Sequence, residues 1–450
     1  MVCPGIRFTT FGIAWSQQGS GSIAATVQTG PTSRRLGTPT VARAEDAGPD
    51  LGTPDARHQT GRATDPVWVG DAKCARFSLT VPAGVDFSDV HLAFLNTVGT
   101  AFGGRPVYGL AAAPVGPAPA PLAGFIGAST AEAWAYRPRI ITRAQWGADE
   151  GLRNCGPYYS VAVKMAFVHH TDNKNDYSPN QSAAIVRGIY WYHTQVLHWC
   201  DIAYNFLVDR FGQVFEGRYG GMTLPVLPGA TRGFNTNSTA VAAIGNFQTG
   251  QPPSAMLNAL NHLLAWRLDA AHVSPIGTVW MKNRADDIKK FKYGQWVLFN
   301  HISGHRDANY TDCPGDLLYG QLPNIRKAAY GIGLPKIFAP VESPDHFVYT
   351  EGTVTWTATA SARMRWNLQV LDADNNMVDA WWTRGTTYST TWDGYDRSGH
   401  AVPPGTYTVK LLAWNGSGKA READFTLTID PIPSPSPSPS DSISPSLSSS

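Results

Sequence analysis

Two residues able to bind a metal or act as nucleophiles lie close together in "GHRDANYTDCPGD", residues 304–316: His305 and Cys313. A cysteine there has three possible fates: half of a disulfide, an inert core thiol, or a metal ligand. The chain has five cysteines, Cys3, Cys74, Cys155, Cys200 and Cys313, so at most four pair internally and one is left for other chemistry. Cys313 precedes Pro314-Gly315-Asp316 and then a helical apolar stripe. That puts it ahead of a helix N-terminus, whose dipole favours the thiolate that binds metal. A further ligand comes from "FVHHT", a histidine pair closing an apolar run. On a strand His169 and His170 face opposite sides, and since both faces here are apolar, periodicity leaves either one available. Two histidines and one cysteine make three protein ligands with one open position, the arrangement of a catalytic rather than a structural zinc. His301 shares a strand face with His305 by spacing, as a reserve ligand or supporting partner.

These residues need a sheet with helices over it. "VAVKMAFVHH" (161–170) is a short apolar run consistent with a strand buried on both faces. Ile185, Ile189, Tyr192 and Val196 then stripe a helix, with Ser178 or Asn180 as cap. "IAYNFLVDRFGQVFEGR" reads as a hairpin turning near Phe211-Gly212, and "AVAAIGNF" as another strand. Ser254 opens a helix carrying Leu257, Leu260, Leu264 and Leu268. "WVLFNHIS" is a further strand, and Leu318, Leu322, Ile325 and Ala329 stripe a last helix. Strands interleaved with helices predict an α/β domain over 136–334, a mixed central sheet flanked by helices.

The rest of the chain differs in texture. Residues 1–65 are rich in Gly, Thr, Ala, Arg and Asp, which predicts a disordered or loosely ordered region. Strand-like runs at 66–112 predict a small β unit, and the Ala/Pro-rich 113–135 a semi-rigid linker. Period-two runs over 335–430, such as "TYTVKLLAW", predict a β-sandwich, and 431–450 a Pro/Ser-rich tail. At 450 residues, two to four units are expected. Net charge is +2, so nothing electrostatic points to nucleic acid, and no apolar run is long enough to span a bilayer. The first residues carry a single Arg7 and no continuous apolar core, so they do not read as a signal peptide. Cys155 and Cys200 flank the first strand and helix and are expected to pair, which requires an oxidising compartment. Cys3 and Cys74 could form a second pair.

"FVHHT", "WCDIAYNFLVDRFGQVFEGR", "AAIGNF" and "GHRDANYTDCPGDLLY", in this order, resemble the zinc-dependent N-acetylmuramoyl-L-alanine amidases of the peptidoglycan recognition protein family, in its bacterial form. The resemblance covers about 138–332. It implies one catalytic Zn²⁺ held by His169, His305 and Cys313, with Tyr204 as the catalytic tyrosine and Thr311 pointing into the site. Such a zinc would activate a water and polarise the lactyl amide carbonyl, with Tyr204 and Thr311 hydrogen-bonding the oxyanion or water. His193, Trp199, Arg218 and Asn246 are candidates to line the substrate groove. Relatives that only bind peptidoglycan typically lack the cysteine, so its presence favours catalysis over a binding module. The loop "LPVLPGATRGFNTNS" lacks the histidine that many relatives carry after Gly-Ala. The small β unit resembles the extension ahead of such domains in actinobacterial secreted proteins. Toward the C-terminus, Trp392, Gly394, Gly399, Pro403 or Pro404, Gly405 and Tyr407 resemble the FlgD-type immunoglobulin-like domain. The implied partner is peptidoglycan, the location secreted and wall-associated, and the chain a monomer. A structural zinc site in an adhesin is the remaining alternative, disfavoured by having only three good ligands.

Overall fold

The computed structural model describes residues 1–4, 7–18, 24–42, 48–50, 53–56, 62–80, 86–97, 135–348 and 352–431. The expected linker at 113–135, save Ala135, and the tail at 431–450, save Pro431, lie outside the described residues. The chain divides into two compact units, Met1–Lys336 and Ile337–Ser450.

The first unit is built on a six-stranded mixed sheet. Its strands are β1 (Ile140–Ile141), β2 (Met165–His170), β3 (Phe206–Val208), β4 (Val214–Glu216), β5 (Ser238–Ala243) and, after a separate ribbon of β6 (Thr278–Lys282) and β7 (Trp296–Asn300), β8 (Ile302–Gly304). The spatial order is β8-β2-β5-β3-β4-β1. β3 and β4 form the expected antiparallel hairpin, while β2, β5, β3 and β8 run parallel. Every residue of β2 and β5 is buried, as central strands covered on both faces require. Helix α1 (Ser182–Trp191) covers one face through Ile185 and Ile189, and the π-helical turn that continues it, Tyr192–Val196, adds Tyr192. On the other face lie α2 (Ser254–Asp269), through Leu260, Leu264 and Leu268, and α3 (Leu322–Gly331), through Leu322, Ile325 and Ala329.

Two expectations change here. "WVLFNHIS" is not one strand: it breaks at His301 into β7, which pairs with β6 alone among the described residues, and β8, which joins the main sheet beside β2. Residues 1–65 are not loosely ordered throughout. Phe8–Gln18 pairs antiparallel with Asp86–Leu95, Val67–Ala72 and Arg62–Ala63, and Ala24–Gly30 pairs with Cys74–Thr80 and Thr40–Ala42. The average composition hid Phe8, Phe11, Ile13 and Trp15, which concentrate in one strand and are buried. Their partner strands lie far along the chain, so no local signal announces them. This β region packs on α1 and the segments beside it: Arg187 of α1 donates to Thr97 O (2.9 Å), the Tyr192 hydroxyl just after α1 donates to Ile13 O (3.3 Å), and Trp68 N donates to Asn173 Oδ1 (2.7 Å).

Disulfides join Cys155 to Cys200 and Cys3 to Cys74. In the second unit seven strands are hydrogen-bonded into one continuous sheet. Its longest strand, Val354–Leu371, shifts register between Thr359 and Met364, pairing with Ile337–Ser343 on one side of the shift and Gly405–Asn415 on the other. The sheet encloses an aromatic core of Trp356, Trp366, Tyr388, Trp392 and Tyr407.

Candidate metal centre

Adjacent parallel strands end at one edge of the sheet, and there the chemistry gathers. β2 ends at His169-His170, and β8 ends at Gly304, which hands the chain to His305. A helical turn, His305–Ala308, and the loop after it return Cys313 to the end of β2 at His170. One metal-ligating atom from each of His169, His305 and Cys313 lies within 4.8 Å of the other two. Cys313 Sγ is 3.7 Å from His169 Nδ1, and the His169 and His305 rings are 4.7 Å apart.

The return loop is held rigidly. Asp307 accepts from Gly304 N (2.9 Å) and from the Tyr319 hydroxyl (2.6 Å), while Arg306 donates to Asp316 (2.6 Å) and Arg306 N to Cys313 O (2.9 Å). Two glycines of the motif are there for space. A Cβ on Gly304 would lie 2.8 Å from the Tyr319 ring, and one on Gly315, whose φ is +87°, would lie 2.2 Å from the backbone of Phe247.

Electrostatics keep both imidazoles neutral. Burial, then His305 and His170, hold His169 well below the ordinary histidine range. Burial pushes His305 down to about 3. Neutral rings present lone pairs. Among the described residues His305 Nε2 is buried without a hydrogen-bond partner, the condition of an atom that a cation would satisfy. The His170 amide donates to Cys313 Sγ (3.3 Å), which favours the thiolate. Two imidazoles and one sulfur therefore fit zinc. The expected helix dipole contributes little, because the helical turn after Cys313 spans only Asp316–Tyr319 before the chain breaks and restarts as α3.

Of the strand pair, His169 joins the cluster. His170 turns the other way and accepts from Phe247 N (3.2 Å). His301 stays outside, its Nδ1 2.6 Å from Ser274 O, because the break between β7 and β8 removes it from the face it was expected to share. Tyr204 is buried with its ring 5.4 Å from that of His169. Thr311 Oγ1 accepts from Cys313 N (3.2 Å), bracing the loop.

The four groove candidates are placed differently. His193 is buried, accepts from Ala203 N (3.0 Å) and lies against Trp199 at a tilt of 46°, 4.7 Å between centroids. Among the described residues His193 Nε2 and Trp199 Nε1 are buried without hydrogen-bond partners. Arg218 is ion-paired with Asp55, whose other oxygen accepts from Cys200 N (2.7 Å). Asn246 is engaged in a turn, donating to Asp172 and accepting from Gln248 N. Sequence reasoning missed Asp50, Asp55 and Thr231. The aspartates reach the domain from more than a hundred residues away, and no local pattern marks them. Thr231 sits in the loop already noted for its missing histidine.

A model of the N-acetylmuramoyl-L-alanine amidase family matches residues 159–316, and one of the FlgD Ig-like domain matches 347–417. A peptidoglycan-recognition protein of Drosophila melanogaster is 31% identical over 191 residues, 42% of this chain and 89% of the relative. Peptidoglycan recognition protein 1 of Bos taurus is 29% identical over 191 residues, 42% of this chain and 86% of the relative. The solved structure of bumblebee PGRP-SA is 24% identical, covering 42% of this chain and 95% of that one, with a TM-score of 0.34. Through the part of the chain that carries the histidine–cysteine cluster, this protein belongs to the peptidoglycan recognition protein family.

Proposed function

We propose that residues 136–334 form a zinc-dependent N-acetylmuramoyl-L-alanine amidase, which hydrolyses the amide between the lactyl group of muramic acid and L-alanine in peptidoglycan. The observation that carries this reading is the meeting of Cys313 Sγ with His169 Nδ1 at 3.7 Å, with His305 in the same cluster. A protein that only binds the polymer has no need of a thiolate between two neutral imidazoles.

His169, His305 and Cys313 would hold the ion. When bound, zinc supplies Lewis acidity, polarising the amide carbonyl and acidifying a water. The protein's own groups do the rest. Tyr204, whose ring lies 5.4 Å from that of His169, would donate to the developing oxyanion. Thr311 accepts from the Cys313 amide, which leaves its hydroxyl proton free of that bond, and would donate it to the water or oxyanion. Burial holds both imidazoles neutral, so they bind the cation rather than compete for protons.

In this reading the protein is a secreted, wall-associated monomer. The β region before the domain, the linker and the immunoglobulin-like unit at 335–430 are accessory, the last a spacer or wall adhesin. Purified protein incubated with muropeptides should release stem peptides with a free amino-terminal L-alanine, and a chelator should stop it. Binding to the polymer with no new amino terminus, with or without added zinc, contradicts the proposal and favours a recognition module.

A further inference from the structure

Neutral imidazole carries one ring proton. If His169 offers the Nδ1 lone pair toward Cys313, its proton sits on Nε2 and needs an acceptor. The structure supplies one: Thr231 Oγ1 lies 3.1 Å from His169 Nε2, and both side chains are fully buried. Thr231 is itself anchored. Asn235 Oδ1 accepts from the amides of Thr231 (2.8 Å) and Ala230 (2.9 Å). Asn235 Nδ2 in turn donates to Asp50 Oδ1 (2.8 Å) and to Gly48 O (3.0 Å), and Gly233 N donates to the same Asp50 oxygen (2.6 Å). The loop has little room to shift, since a Cβ on Gly233, at φ +91°, would lie 2.3 Å from Asn283 Oδ1.

We infer that Thr231 is a positioning residue, fixing the tautomer and ring angle of His169 so that Nδ1 faces the metal. The segment at Gly48–Asp50 holds that threonine in place through Asn235. The N-terminal region thereby serves the metal centre without touching it. This rests on the reading of His169 as a zinc ligand. Partners of this kind change metal affinity when removed, whether or not turnover is measured.

The test is zinc affinity of the full chain, by competition with a chromophoric chelator. Thr231→Val keeps the side-chain shape and deletes the acceptor, and is expected to weaken zinc about 10–100-fold. Thr231→Ser restores the hydroxyl and should bind within about threefold of the unaltered protein, a rescue that a packing role alone does not give. Asp50→Ala should weaken zinc about three- to tenfold. Nitrogen NMR of His169 in the zinc-free, unaltered protein should show the proton on Nε2, a readout that needs no variant to fold. Equal zinc affinity in Thr231→Val, failure of Thr231→Ser to rescue, or a proton on Nδ1 overturns the inference. Absence of zinc binding by the unaltered protein overturns the ligand reading itself, and this inference with it.

Discussion

A thiolate between two imidazoles grips a zinc ion only while all three stay in their metal-binding protonation states. Removing the sulfur by Cys313→Ala should therefore cost at least about 10²-fold in zinc affinity and abolish hydrolysis, while polymer binding measured by sedimentation with sacculi survives. His193 gives a separate test, away from the ligands. Burial, then the charge of Arg218, pushes it down to about 3 from an ordinary 6.5. Above 6.5 the folded and unfolded forms are both neutral there, so nothing is gained or lost. Below 6.5 the unfolded chain takes up a proton that the folded chain refuses, so stability falls as pH drops toward 3, by up to about 1.4 kcal/mol per unit. In His193→Asn, which keeps an acceptor for Ala203 N, urea denaturation should show a shallower fall over that range. At this scale much of the cluster was legible: His305 and Cys313 stand out by residue type and neighbours. The choice of His169 over His170 was not, because alternation assigns faces without saying which face the loop at Cys313 approaches. Resemblance made that choice, and His169 is the member that lies beside the sulfur.

Among the elements, the motif around Cys313 depends on a glycine with no substitute. Gly315 holds a φ of +87° against the Phe247 backbone. Gly315→Ala should cost about 1–3 kcal/mol from backbone strain alone, more with the clash, and should loosen zinc binding together with stability. Thermal unfolding with and without zinc measures both. The main strands and helices were readable because their patterns are long or strongly apolar, as in β2 and in the leucine stripe of α2. The break at His301 was not. "WVLFNHIS" is apolar through Phe299 and again at Ile302, with no Gly or Pro to mark a break, and only tertiary pairing shows that Phe299 belongs to a separate ribbon while Ile302 belongs to the main sheet.

Over the molecule as a whole, two disulfides and a β region tie distant stretches into the unit that houses the cluster. The Cys155–Cys200 bridge closes a 45-residue separation. Replacing both by serine should lower stability by about 4 kcal/mol on the chain-entropy model, read as a drop in the urea midpoint. The N-terminal strands escaped sequence reading because their apolar residues are few and their partners remote. Asp50 and Asp55 escaped for the same reason, though both reach loops beside the candidate site. The central claim is that two imidazoles and one thiolate, brought from separate parts of the chain, hold a single zinc with one position open. X-ray absorption at the zinc edge of the purified protein tests it most directly. The account predicts one zinc per chain, with one sulfur at about 2.3 Å, two nitrogens at about 2.0–2.1 Å and one exchangeable oxygen. A zinc shell without sulfur, a closed shell of four protein ligands, or a protein that retains no zinc would contradict it.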